Sequence, residues 1–410
     1  MRKLTLIIIA FLLCFTASAA LIYNYKAPAY YMDQVIAAIN SNDLDLEQTE
    51  LAFEYLEEAR TLVNDKELII QRAEELATAA KKKGIIQADE LKIKFIQHAL
   101  EEDPSNWLAR EIVIRNLAER GDIAGLASEV DKLDKLARVN DDDWNYCIKT
   151  AQLFAVSASV PWLQSEAYLN LNKSSQAFVE KTSIYIQAVR QIENLEQDLV
   201  AMLGSDPSLK KTPPPSLVSS AQIASADILA EKETINTARD FLKKLDSDED
   251  FSKAVKNTLE GNVALTARSY ADARARYKSA LAIYPELAYA KKQSVETDFQ
   301  EGISLIAAEE TNYRGKRLLR GAYNSINELL AGDKMQNPQI PFVNPSRFTG
   351  EAWSLKAAII SAMRAAYAQD NSKIRSLEEE FKYALEQALK LNPNSLLAKQ
   401  MLDRYSKDGF

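Results

Sequence analysis

The chain is poor in the residues that most often carry chemistry or cross-links. One histidine, His98, and two cysteines, Cys14 and Cys147, stand among 410 residues. No second His or Cys lies at ligand spacing from His98, which argues against a zinc site. Cys14 sits inside an N-terminal apolar run, so Cys147 is alone in the rest of the chain and no intramolecular disulfide framework can form there. Its setting, Trp144-Asn145-Tyr146-Cys147-Ile148, suits a small buried hydrophobe. Glycine (11) and proline (12) are scarce, too few for the many turns of an all-β fold. The sequence contains no G-x-S-x-G elbow, no G-x-x-x-x-G-K-[ST] loop and no G-x-G-x-x-G turn. A basic excess is missing as well: the net charge is -8, against what a phosphate-binding face requires. No catalytic residue, cofactor, metal or nucleic acid is therefore expected.

What is present is helix-forming material, 47% hydrophobic residues with abundant Ala, Leu, Glu and Lys, in a chain long enough for two domains or an elongated array. The carboxylate groups Glu57-Glu58, Asp141-Asp142-Asp143 and Glu378-Glu379-Glu380 read as polar helical faces or helix starts. Asp141 to Asp143 are placed to cap the helix that follows at Trp144. Lys81-Lys82-Lys83 before Gly84 reads as a helix end, where cations complement the dipole.

The N-terminus carries the compartment signal. Met1-Arg2-Lys3 precede Leu4 to Tyr23, twenty residues without a charge. A cationic start before such a run marks a secretory signal or a membrane anchor. Ala17-Ser18-Ala19 offers a cleavage site near Ala19, which would release a soluble periplasmic protein. Leu21-Ile22-Tyr23 instead extend the run to spanning length, the preferred reading. A lipoprotein is disfavoured, because Leu13 stands where a small residue should precede Cys14. Each reading puts the remainder outside the cytoplasm, with membrane contact expected through residues 4–23.

One pattern recurs three times. Ala99-Leu100 precede Pro104, with Ala109-Arg110 beyond; Ala280-Leu281 precede Pro285, with Ala290-Lys291 beyond; Ala388-Leu389 precede Pro393, with Ala398-Lys399 beyond. Physically this is one helix ending and another beginning, since Pro stops the first and suits the first turn of the next. Around the second copy, Gly261, Tyr270, Ala273, Tyr277, Ala280 and Pro285 fall where a tetratricopeptide repeat alternates small and aromatic residues before its Pro. The segment from about Ala254 to Leu287 resembles that family over one 34-residue unit. The resemblance implies two antiparallel helices with Gly261 facing Ala273. The outer copies are degenerate: Lys92 replaces one small position before Pro104, while Gln369 and Phe381 replace two before Pro393. The three prolines lie 181 and 108 residues apart, neither a multiple of 34, which argues against one uninterrupted array. Ser105–Glu119 and Ile123–Val139 read as a further hairpin turning at Arg120-Gly121-Asp122.

Two proline-rich stretches punctuate the pattern. Lys210-Lys211-Thr212-Pro213-Pro214-Pro215 is expected to be a stiff, extended connector after one long amphipathic helix over Ser174 to Leu203. Asn337 to Pro345 is expected to loop back over the array. The resulting division is a signal or anchor over 1–25, a helical repeat-like unit over 27–205, a linker over 206–216 and a tetratricopeptide-like unit over 217–410. The expected fold class is all-α, a degenerate α-solenoid.

The family resemblance implies protein binding on the open face of stacked hairpins, without catalysis. Asn257 and Asn262 on the first helix of the best repeat are candidate partner contacts. Arg314, Lys316, Arg317 and Arg320, flanking Leu318-Leu319, are candidates for an acidic partner or an anionic lipid, against the alternative of a solvated helix face. The expected function is a membrane-associated periplasmic scaffold or assembly factor for other envelope proteins. A fixed structural subunit of an envelope machine and an atypical cell-wall hydrolase are the alternatives.

Overall fold

A computed structural model describes residues 27–306, 309–332, 337–366 and 371–408. Regular structure among these residues is entirely helical. None of the described helices is long and apolar enough to cross a membrane, and the Leu4–Tyr23 run lies outside the described residues.

The chain divides into two compact units, each built from two stretches of sequence. The first takes the described residues up to Ser159 together with Gln191–Ala226; the second takes Val160–Arg190 and the described residues from Asp227 onward. This differs from the division expected at 206–216. The helices α7 (Asp142–Leu169), α8 (Ser175–Ser205) and α9 (Pro215–Ala230) each contribute to both units, so no single point in the sequence separates them.

The first unit opens with α1 (residues 27–39), α2 (Leu46–Leu62), α3 (Lys66–Lys82), α4 (Ala88–Glu102), α5 (Trp107–Arg120) and α6 (Ile123–Lys135). From α2 onward each helix packs on the next, and α2 also meets α4 as α3 meets α5, the pattern of stacked hairpins. Their apolar faces close over Phe53, Leu56, Ile69, Leu76, Phe95 and Ile96. The turn between α5 and α6 forms where expected, with Gly121 at φ 68° and Asp122 capping Gly125 N–H at 2.8 Å. Asp141 caps α7 through the Trp144 N–H at 3.0 Å.

The expected extended connector is instead helical and packed. Asp206 caps a 3₁₀ segment at Pro207–Lys211, Leu209 and Pro213 are buried, and Pro215 opens α9. Proline's fixed φ suits a first turn as well as polyproline II, and a buried neighbour such as Leu209 tips the choice.

The second unit contains α10 (Lys232–Ser247), α11 (Glu249–Thr266), α12 (Tyr270–Ile283), α13 (Ala288–Ile306), α14 (Asn312–Leu330), α15 (Pro345–Ala366), α16 (Asn371–Leu391) and α17 (Leu396–Asp408). Hairpins α11–α12, α13–α14 and α15–α16 follow one another, and the first helices α11, α13, α15 and α17 form a layer of successive neighbours. Between Pro285 and Pro393 the array is therefore continuous. The 108-residue separation departs from the 34-residue period because α13 to α16 run 19 to 22 residues each and a loop intervenes. That loop is the Asn337–Pro345 stretch, and it folds back as expected. Ile340 is fully buried, and the Phe342 ring lies 5.0 Å from Tyr185 and 6.4 Å from Phe178 on α8.

Candidate functional site

The three copies of the proline pattern share one backbone geometry. The residue before each proline donates its N–H to the alanine four back: Asp103 to Ala99 at 2.9 Å, Tyr284 to Ala280 at 2.8 Å and Asn392 to Ala388 at 2.8 Å. The same residue then accepts from Asn106, Leu287 or Ser395, closing a turn with Pro at its second position. Those three residues in turn accept from Arg110, Lys291 and Lys399, opening the next helix. Both alanine columns are buried, Ala99, Ala280 and Ala388 before the turn and Ala109, Ala290 and Ala398 after it, whereas Pro104, Pro285 and Pro393 are exposed. The alanines thus do the packing and the prolines set the turn.

In the α11–α12 hairpin, Ala273, Tyr277 and Ala280 are fully buried and Tyr270 is partly buried against the same core. The side chain nearest to Gly261 across the hairpin is Tyr277. A Cβ built on Gly261 would lie 2.6 Å from the Tyr277 ring, and all three of its nearest atoms belong to that ring.

Asn262 corrects an expectation. It is 1% exposed and forms the centre of a buried polar seam, not a partner contact. Tyr277 donates its hydroxyl to Asn262 Oδ1 at 2.8 Å, and Asn262 Nδ2 donates to the Leu171 carbonyl at 3.0 Å. Tyr289 and Gln293 on α13 complete the seam at 3.3 Å each. Burial pushes the Tyr277 and Tyr289 hydroxyls far above the usual phenol range, so both stay neutral, Tyr277 donating to Asn262 and Tyr289 accepting from it. This end of the first-helix layer is covered by the chain's own α7–α8 turn. Asn257, by contrast, is half-buried, and its amide donates back to Lys253 O at 2.9 Å.

Further along the layer the surface is open. Ile303 and Ile306 of α13, Ala358, Ser361 and Ala362 of α15 and Met401 of α17 line a groove of about 290 Å³. Ile303 is 45% exposed, a large aliphatic side chain left uncovered at the groove's edge. Small residues on α15 make the floor, so an incoming apolar side chain can approach the helix backbone. Sequence reading missed this groove, because its residues come from three helices roughly fifty residues apart. Close helix approach elsewhere in the unit had a signal in its glycines: Gly302 meets Leu319 and Gly315, and Gly350 meets Asn392 and Ala388.

The basic candidates are spread around α14. Arg314 is exposed and donates to Glu301 at 2.6 Å. Arg274 binds the same carboxylate and also Asp298 at 2.7 Å, tying α12, α13 and α14 together. Arg317 and Arg320 are exposed and Lys316 is half-buried, around a fully buried Leu319. Arg314 thus has a structural role within the hairpin stack.

His98 lies 3.0 Å from Glu57 through Nδ1, a contact between α4 and α2. Cys147 is 2% exposed; burial, with Asp143 and Asp141 adding to it, pushes its thiol up to about 12. A thiol so rarely ionised is a poor nucleophile. Among the described residues no group of three or more His, Cys, Asp or Glu side chains is placed to hold a metal ion.

No family model matches the chain, and no curated protein matches it. Among solved structures it matches one described as "Crystal structure of APC/C hetero-tetramer Cut9-Hcn1", at 13% identity and a TM-score of 0.18, over 94% of this chain and 88% of that one. A likeness of that size carries no argument, and the reading of the chain as stacked helical hairpins rests on their shared turn geometry and their packing.

Proposed function

We propose that the protein is a non-catalytic scaffold that holds a partner protein in the first-helix groove of its second unit. The observation that carries this reading is the uncovered apolar groove between α13, α15 and α17, edged by Ile303 and Met401. Exposed apolar surface of this kind, framed by polar helix faces, is characteristic of protein contact. The partner chemistry that fits is an aliphatic or aromatic side chain presented by another envelope protein. The charge-free run Leu4–Tyr23 after Arg2-Lys3 supports anchoring in the inner membrane with the two units in the periplasm; cleavage near Ala19 would leave the same units soluble there.

A photocrosslinking amino acid at Ser361, on the groove floor, tests the reading when compared with one at exposed Lys278 on α12. A discrete partner adduct at Ser361 and none at Lys278 is the expected result. Equal adducts at both, or none at Ser361, would remove the groove as the binding site. Exposure of Leu396, Leu397 and Leu402 on α17 favours a second reading, a fixed subunit packed against a neighbour through its last helix. In that case the adduct should form from position 402 and survive partner competition.

A further inference from the structure

The amino-terminal helix of the first unit presents an aromatic face with no role in the scaffold site. Tyr30 is 54% exposed, and its ring lies 5.6 Å from Tyr31 and 6.3 Å from Tyr55, with Tyr31 and Tyr55 5.9 Å apart. Leu51, one turn before Tyr55 on α2 and so on the same face, is 44% exposed. Tyr31 and Tyr55 also pack against the unit's core, so the face is held in place from beneath.

We propose that this face of Tyr30, Leu51 and Tyr55 rests on the surface of a zwitterionic phospholipid bilayer. The inference rests on the reading that residues 4–23 enter the membrane. The charge-free run ends at Tyr23, and only four peptide spacings, at most about 14 Å, separate it from Ala27, the first described residue of α1. Tyr30 lies about one helical turn further on. A face so close to an inserted segment stays within reach of the headgroups, a layer on the order of 7 Å per leaflet. Tyrosine suits that depth, because the ring prefers the acyl boundary while the hydroxyl reaches phosphate or carbonyl oxygen. The lipid class follows from charge. Exposed Glu47, Glu54 and Glu58 share or border this side of α2 and would be repelled by an anionic surface. Zwitterionic headgroups instead offer an ammonium group to each carboxylate.

The test uses the full chain in phosphatidylcholine vesicles with Cys14→Ala and Cys147→Ala, so that a nitroxide can be attached singly after Tyr30→Cys, Leu51→Cys, Leu12→Cys or Lys278→Cys. Collision with dissolved oxygen, which concentrates in lipid, is compared with collision with a water-soluble nickel complex. The expected result is an oxygen-to-nickel ratio several-fold higher at positions 30 and 51 than at 278, with position 12 higher still. Lipid exposure at 12 with water-like ratios at 30 and 51 would overturn this inference and leave the anchor reading intact. Water-like ratios at 12 would end both. Labels at 30 and 51 shielded from both reagents would mean that protein covers the face, which also overturns the proposal. Added phosphatidylglycerol should lower the ratio at 51; a rise would overturn the assignment to a zwitterionic surface.

Discussion

Gly261 and Gly321 both lie inside helices, yet replacement by alanine should act in opposite directions at the two positions. At Gly321 on α14 nothing lies within 4 Å of a new Cβ, so the lower chain entropy and better propensity of alanine should stabilise by about 0.5–1 kcal/mol. At Gly261 the same Cβ meets the Tyr277 ring, which is fully buried and held by its hydroxyl to Asn262, so it cannot swing aside. Overpacking of about 1–3 kcal/mol should outweigh the propensity gain. Denaturant unfolding of the two variants checks the opposite signs. Ala273→Leu should cost a similar amount, and Lys278→Gln at the exposed side of α12 very little. Cys147 supplies a pH prediction. Its folded pKa of about 12 exceeds the ordinary value of about 9, so the native state holds this proton while the unfolded state releases it. The thiol's contribution is complete below pH 9 and is lost as pH rises toward 12, at up to about 1.4 kcal/mol per pH unit. Cys147→Ala should flatten the alkaline loss of stability measured between about pH 8.5 and 9.5, below the ordinary phenol pKa of about 10 where buried tyrosines begin to add to it.

The helix ends show what can be read from local sequence. Ala99-Pro104, Ala280-Pro285 and Ala388-Pro393 form one turn three times because each hydrogen bond in it closes within four residues, and the α5–α6 turn follows from Gly121 in the same way. A division of labour within that turn is testable. Replacing exposed Pro285 with alanine should change stability by no more than about 1 kcal/mol, since it alters chiefly the unfolded chain. Ala280→Leu, at a fully buried position, should cost about 1–3 kcal/mol. Circular dichroism during urea titration separates the two. Features that depend on distant partners were not legible. Asn262 read as a groove residue because its burial is imposed by Leu171, Tyr289 and Gln293, which come from the α7–α8 turn and from α13. The Lys210–Pro215 run read as extended because its sequence carries no trace of the site where Leu209 becomes buried.

At the scale of the whole molecule, three helices contribute to both compact units, and the second unit is a continuous stack of hairpins closed at one end of its first-helix layer and open at the other. Closure comes from the chain itself, through Leu171 against Asn262, which is why the proposed function places the partner in the apolar groove near α17. Ile303→Glu puts a charge on that groove while removing little buried surface, because the side chain is already 45% exposed. The decisive measurement is paired on this one variant: its unfolding midpoint and its yield of the partner crosslinked from membranes through Ser361. An unfolding free energy within about 0.5 kcal/mol of the parent, as for most surface substitutions, together with loss of the crosslinked partner, is the predicted result. A stable variant that captures the partner at the parent's yield would contradict the assignment of the groove as the site of protein binding.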